Sequence, residues 1–301
     1  MSTNTMPVFQ VEWTDTHAPK NDELAAFVRE ASLMPVDAEF LVDRHQRPEI
    51  VSRPNYTMIL MNVPVFDKKT RVTSSASLVF IVLAEKLYTL HHESIVTLEK
   101  LRSEIEDNPG KHEPHVGNSP LSLALYLITQ LNSSNFRKLN RLAKHVDIAE
   151  DAVFFGNERK MVEEIAILGR DVLDFRRIVR PHRDLFAELP DGSLDADIRS
   201  RWQRVHGQMR QMWEYLEGLH DSAKELRDTN DSLLQHKENE LLRLLSLYSI
   251  ITIPVWIFVS PYNPRGSDAQ LADIVVFWVV LTGLILLLLW IFVQSKRKKV
   301  L

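Results

Sequence analysis

Residues 244–259 read LLSLYSIITIPVWIFV, an uncharged stretch whose apolar character is interrupted by Ser246, Ser249, Thr252 and the hydroxyl of Tyr248. With its flanks it reaches roughly 20 residues, the length at which a helix crosses a bilayer. A second stretch, Ile274 to Val293, is stronger and contains Leu286-Leu287-Leu288-Leu289. An uncharged run of about 20 residues is rarely part of a globular core, so both stretches are expected to span a membrane. Lys296, Arg297, Lys298 and Lys299 follow the second stretch directly. Cations collect on the cytoplasmic side of a span, so this end is expected in the cytoplasm, and two crossings put the N-terminus there too. The connecting segment, Ser260 to Asp273, carries Arg265 as its only cation, and Trp256, Trp278, Trp290 and Tyr262 are candidate interfacial anchors.

Upstream of these stretches the composition changes. Charged residues run through the chain as far as Arg243 and are nearly absent from there to the terminal basic run. The 301 residues carry a formal net charge of -4, which gives no reason to expect a nucleic-acid partner. There is no cysteine, which excludes disulfides, thiolate metal sites and cysteine nucleophiles and suits a reducing compartment. Met1 to Lys20 is polar and lacks the apolar core of a signal peptide, so the large soluble part is not expected to be exported. No Walker A loop, nucleophile elbow or HExxH motif is present, and the chain is not read as an enzyme.

Residues 1–120 alternate like an α/β unit. Asn21 to Glu30 reads as a helix capped by Asn21 or Asp22. Tyr56 to Phe66, Ser77 to Ala84 and Leu87 to His91 are strand-like runs, and Asp67-Lys68-Lys69 reads as a turn. Ser94 to Glu106 reads as a helix stopped by Asn108-Pro109-Gly110, with a loop to Asn118 after it. Helices are then expected over Pro120–Phe155 and Asn157–Leu189, the latter with Met161, Ile165, Leu168, Val172 and Phe175 on one apolar face. Pro190-Asp191-Gly192 is a break. From Leu194 nothing stops a helix before Pro254; carried on to Tyr262 it would be about 100 Å long, which reads as a stalk running into the membrane.

On that stalk Asp228, Asp231, Gln235, Asn239, Leu242, Ser246, Ser249, Ile253 and Trp256 repeat at spacings of three and four. Such a stripe is the seam of parallel helices around an axis. The plainer reading is an exposed face below and lipid-facing residues above. Two spans cannot enclose a pore, so any pore is expected from several copies, with the stripe lining it.

The chain resembles the CorA family of divalent-cation transporters over nearly its whole length. Asn239-Glu240-Leu241-Leu242-Arg243-Leu244-Leu245-Ser246 is similar to the family's Asn-Glu-Val-Met-Lys-Val-Leu-Thr, and Pro254 falls on its proline in the first span. Tyr262 falls on the tyrosine before the Gly-Met-Asn signature, and Lys296-Arg297-Lys298-Lys299-Val300-Leu301 is similar to its basic ending. Residues 120–127 and 176–184 look like its two cytoplasmic helices, and Gln46-Arg47-Pro48-Glu49 matches its N-terminal domain.

The resemblance implies a homopentamer in the inner (plasma) membrane, with both termini cytoplasmic. It divides the chain into an α/β/α funnel domain (1–190), a stalk helix (191–243), a pore-lining span (244–262), an external loop (263–273), an outer span (274–294) and a basic tail (295–301). It implies no covalently bound cofactor and no nucleic acid. The implied partners are a second copy of the chain, the lipid bilayer and divalent metal ions, with Mg2+ or Zn2+ as substrate or regulator. Asp228 and Asn239 fall on the family's polar pore-facing positions, where they would meet a hydrated ion.

The chain departs from the family after Tyr262, where Asn263, Pro264 and Arg265 replace Gly-Met-Asn. The family's asparagine ring holds a hydrated ion through amide oxygens. Arg265 at that position has no acceptor, and five copies would oppose cation entry. Asn263 could supply an amide ring after a local rearrangement. Trp256 replaces the family's pore threonine. Two functions are therefore expected to compete: transport of Mg, Co, Ni or Zn, and a non-transporting membrane scaffold or sensor.

Other groups are weighed by residue type. His112-Glu113-Pro114-His115 has metal-ligand residue types but reads better as a solvated loop. His91-His92-Glu93 reads as core or surface. His206, His220 and His236 lie on the stalk, where His236 beside the stripe could make a pH-sensitive ring, although a solvated histidine is the better reading. Glu163-Glu164 reads as a solvated face. Asp195/Asp197 and Asp147/Glu150/Asp151 read as helix-cap and surface acids before regulatory cation sites.

Overall fold

The computed structural model describes residues 2–41, 47–67, 72–188 and 195–259, together with Val275, Val276, Trp278, Val279, residues 281–283 and Leu286. It divides into two units, Met1–Asn230 and Asp231–Leu301, taken separately below.

In the first unit six strands form one sheet: β1 (Ser2–Val8), β2 (Val11–His17), β3 (Glu49–Ser52), β4 (Thr57–Asp67), β5 (Val72–Val82) and β6 (Lys86–His91). Their order is β1-β2-β6-β5-β4-β3. Among the described residues only β2 and β6 pair in parallel. The connection between them holds α1 (Asn21–Glu30), α2 (Pro35–Glu39), β3, β4 and β5.

β4 explains why the sheet is covered on both faces. Ile59, Met61 and Val63 enter one core while Met58 and Leu60 enter another. A strand apolar on both sides must be buried on both sides. Leu24 and Phe27 of α1, with Ala31 just after it, cover one face. On the other lie Leu98, Leu101 and Ile105 of α3 (Val96–Asp107) and the buried run Leu123–Ile128 of α5 (Pro120–Phe154). Fully burying one such side chain contributes about 1.5–3 kcal/mol. The unit is therefore α/β/α, as expected.

The helices follow their punctuation. Ser119 caps α5, its Oγ accepting the Ser122 N–H at 3.1 Å, and Pro120 occupies the first helical position, where no N–H is needed. α6 (Glu158–Val179) runs back against α5. Leu139 and Phe136 of α5 meet Phe175 and Val179 of α6 in a core shared with Met212 and Leu216 of α7 (Ala196–Val259).

Four expectations need correction. The segment from Pro109 to Val116 is not a loop but a helix, α4. Pro109 stands at its start, where proline is favoured, and the buried His112 and Val116 anchor it. The helix expected to reach Leu189 ends at Val179 and tightens into a 3-10 turn, Arg180–His182. Pro181 lacks the N–H that would continue the ladder. Helix α1 is capped not by Asn21 or Asp22 but by Lys20, whose backbone N–H donates to the Glu23 carboxylate at 2.9 Å. The polar N-terminus also forms β1 and β2, with Met6, Val8, Val11 and Trp13 buried.

The second unit holds the rest of α7. Among the described residues no helix is long and apolar enough to cross a membrane. The Tyr262-Asn263-Pro264-Arg265 segment, the Pro190-Asp191-Gly192 break, Lys68-Lys69 and the basic tail lie outside the described residues, as does most of the second apolar stretch.

Candidate functional site

The helix α7 is 64 residues long, and its two faces differ. Trp202, Val205, Met209, Met212, Leu216, Leu219, Ala223, Leu226 and Asn230 are buried, at alternating spacings of three and four. This is a heptad seam facing the rest of the first unit. Trp202 anchors it: its Nε1–H donates to the carbonyls of Phe186 (3.0 Å) and Glu188 (3.1 Å), and its ring meets Phe186 edge-on. The sequence carried this seam in plain 3–4 periodicity, and the sequence reading missed it because it followed the polar stripe instead.

The seam stops at Asn230, and no described side chain from 231 to 259 is buried. Leu241, Leu242, Leu244, Leu245, Tyr248, Ile250, Ile253 and Trp256 are all exposed large apolar groups. A helix apolar all round is one that other matter covers.

The stripe Asp228, Asp231, Gln235, Asn239, Leu242, Ser246, Ser249, Ile253 and Trp256 is exposed at every position. Asp228 lies two residues beyond the buried Leu226, about 200° around the helix at 100° per residue, so Asp228 stands away from the seam. Asp228, Gln235, Leu242, Ser249 and Trp256 fall at intervals of seven. On a straight helix such a row drifts by about 20° per heptad, so it follows an axis only if the helices supercoil left-handedly. Ser249 Oγ donates to the Leu245 carbonyl at 3.0 Å and Thr252 Oγ1 to the Tyr248 carbonyl at 2.7 Å. Hydroxyls satisfied within their own helix can enter an apolar environment without an orphaned donor.

The remaining candidates resolve individually. His112 is buried, with Nδ1 2.7 Å from the Tyr126 hydroxyl, and burial lowers its pKa. His115 stacks on Tyr126 from the surface, and Glu113 is exposed. The expected solvated loop is thus half wrong: His112 is a core residue. His91 is buried as well, and His92 is half-buried with Nε2 3.3 Å from the Leu41 carbonyl. His206 and His220 are half-buried, and His236 is exposed, 4.0 Å from Glu240. Asp197 pairs with Arg201 at 2.7 Å one turn on, Asp195 and the Asp147/Glu150/Asp151 group are exposed, and so is Glu163, with Glu164 half-buried. No group of three or more His, Asp or Glu among the described residues is placed to hold a metal ion.

Residues 9–298 match the family described as CorA-like Mg2+ transporter protein. The cobalt/magnesium transport protein CorA of Methanocaldococcus jannaschii is 22% identical over 296 residues, covering 96% of this chain and 91% of that protein. The zinc transport protein ZntB of Yersinia pseudotuberculosis is 22% identical over 286 residues, covering 91% and 84%. The complete structure of the M. jannaschii CorA magnesium transporter superposes with a TM-score of 0.77 at 19% identity, over 98% of this chain and 94% of that one. These relatives are named as transport proteins, not enzymes. A family match over residues 9–298, nearly the whole chain, makes this chain a member of the CorA-like family of divalent-cation transporters.

Proposed function

We propose that five copies of the chain surround a common axis along the stripe face of α7 and conduct divalent metal cations (Mg, Co, Ni or Zn) across the inner (plasma) membrane. One observation carries the reading. The stripe on α7 is exposed at every position from Asp228 to Trp256, polar at first and then small or apolar. That is the character of a path that accepts an ion at its cytoplasmic end and narrows inside the bilayer. The number five comes from the family resemblance. The apolar stretches 244–259 and 274–293 would be the two spans, with the Lys296–Lys299 run holding both termini in the cytoplasm. Asp228 and Asn239 would contact the hydrated ion, Asp231 and Gln235 would line the wider part, and Trp256 would form a hydrophobic constriction.

The test is uptake of magnesium, cobalt, nickel and zinc by proteoliposomes, side by side, on protein shown to be pentameric by native mass spectrometry. Flux of at least one ion is expected. Folded pentamers that pass none would instead support a membrane scaffold or sensor, the reading favoured by Asn263-Pro264-Arg265 at the signature position. A monomer or dimer in mild detergent would overturn the assembly.

A further inference from the structure

The β1–β2 hairpin joins the sheet through one seam, the parallel pairing of β2 with β6. At the carboxyl end of that seam, where His17 is in register with His91, lies a buried polar relay whose hydrogen-bond directions are fixed in turn. Trp13 Nε1–H can only donate, and it does so to Thr89 Oγ1 at 3.0 Å. Thr89 passes its own proton to Asp15 Oδ1 at 2.5 Å. His91 Nδ1 lies 2.6 Å from the Glu93 carbonyl oxygen, which has no proton to give, so Nδ1 carries the hydrogen. His91 Nε2 faces Asp15 Oδ1 at 3.4 Å, an ion-pair separation. A neutral ring would then aim a lone pair at a carboxylate inside the core. Only the imidazolium has a hydrogen for each acceptor.

The geometry points to His91 and Asp15 as a proton-dependent latch that holds the β1–β2 hairpin onto the sheet, closed when His91 is protonated and loosened when it is not. Both side chains are buried, His91 at 1% exposure and Asp15 at 5%, so water cannot replace the lost proton cheaply. The groups that face His91 are Asp15 and the stacked ring of His17 from β2, Glu93 from the segment after β6, and Glu99 from α3. Burial alone would lower the histidine's pKa, but the Asp15 carboxylate beside it, with the Glu93 carbonyl and Glu99, outweighs it and the net shift is upward. A raised folded-state value means that the stabilisation is complete at low pH and is lost as pH rises through the titration of folded His91.

Hydrogen exchange on the full chain in mild detergent, corrected for the intrinsic pH dependence of exchange, tests the latch from about pH 6 to about pH 9. Peptides covering 2–17 are expected to lose protection severalfold relative to peptides covering 57–82 as pH rises. In Asp15→Asn the ratio should be low and independent of pH. A wild-type ratio that stays constant over the range overturns the latch, and this holds even if Asp15→Asn fails to fold. A ratio in folded Asp15→Asn that still follows pH overturns it as well.

Discussion

The buried imidazole of His182 accepts the backbone N–H of Asn62 through Nε2 at 2.9 Å. This bond closes part of a sheet edge that no described strand covers. β3 pairs with β4 only from Thr57 to Leu60, so β4 is open on that side from Met61 onward. Two residues on, Pro64 has no N–H to offer, and its carbonyl takes Lys138 Nζ at 2.6 Å. Open edges invite pairing with other chains, and here a histidine, a proline and a lysine occupy the place of a neighbouring strand.

The edge bond predicts how stability responds to acid. Burial pushes His182 down to about 4 from its ordinary 6.5, against the opposing effect of its bonds to the Ile178 and Val179 carbonyls. The folded value lies below the unfolded one, so the unfolded chain takes up the proton first. The stabilisation is complete above about 6.5 and is lost as pH falls toward 4. The total is about 3 kcal/mol. Denaturant unfolding of the full chain, followed by tryptophan fluorescence across this interval, should show the loss. His182→Gln should be less stable at neutral pH and should respond more weakly to acid.

Asp37 binds both Nε (2.8 Å) and Nη2 (2.9 Å) of Arg53 and accepts the Tyr56 hydroxyl at 2.6 Å. The carboxylate is 1% exposed and the guanidinium 36%. Asp37→Ala should cost about 2–4 kcal/mol, because it leaves the Tyr56 hydroxyl and the guanidinium without their acceptor, partly relieved by water at Arg53. Lys86→Ala, which removes exposed pairs with Glu12 and Glu30, should cost less than about 1 kcal/mol in the same unfolding assay.

Gly117 joins α4 to α5 at φ +75, and a Cβ there would meet Ser122 Cβ at 2.8 Å. Backbone strain and the collision act together. Gly117→Ala should lower stability by about 1–3 kcal/mol, read as a lower thermal midpoint. Ser122→Gly in the Gly117→Ala background should recover only the part due to the collision.

The α/β/α unit was legible because β4, β5 and β6 are apolar runs too long to face water, and because Ser119-Pro120 announces α5. β1 and β2 were hidden because few of their residues are apolar and β2 buries the polar Thr14, Asp15 and Thr16, and α4 because Pro109 and Pro114 read as breakers when Pro109 stands where a helix tolerates it. The stripe on α7 was legible as a period, but a period cannot say which face is covered. Trp202 through Asn230 supply that answer in three dimensions. His182 and His91 owe their roles to partners 120 residues away in the chain and to a parallel strand, respectively, and no local pattern encodes either.

Under the proposed assembly Asn239 offers an amide ring to the entering ion, while Lys237 lies about 200° around the helix. Asn239→Ala should reduce metal uptake by about tenfold, a loss of about 1.4 kcal/mol of ion binding. Lys237→Gln should change it little. Equal uptake by Asn239→Ala and the native protein would remove Asn239 from the ion path.

After the first apolar stretch the chain reads Tyr262-Asn263-Pro264-Arg265. If the chain forms the proposed pentamer and Arg265 faces its axis, five guanidinium groups would converge there. At an effective dielectric of about 20, two unit charges ~8 Å apart repel by roughly 2 kcal/mol. The ring would repel an arriving divalent ion in the same way, and salt would weaken the effect at an exposed mouth. Proline fixes its own φ and biases the preceding residue toward an extended backbone, so Asn263-Pro264 is expected to turn differently from Gly-Met-Asn. This restriction favours an arrangement in which Arg265 turns outward, toward Asp268 or lipid phosphate, and Asn263 is nearest the axis. Asn263→Ala should then reduce uptake, and Arg265→Ala should leave it nearly unchanged at every ionic strength. The opposite result, a strong cation flux appearing only in Arg265→Ala, would make Arg265 the barrier and the native protein something other than a conventional cation importer.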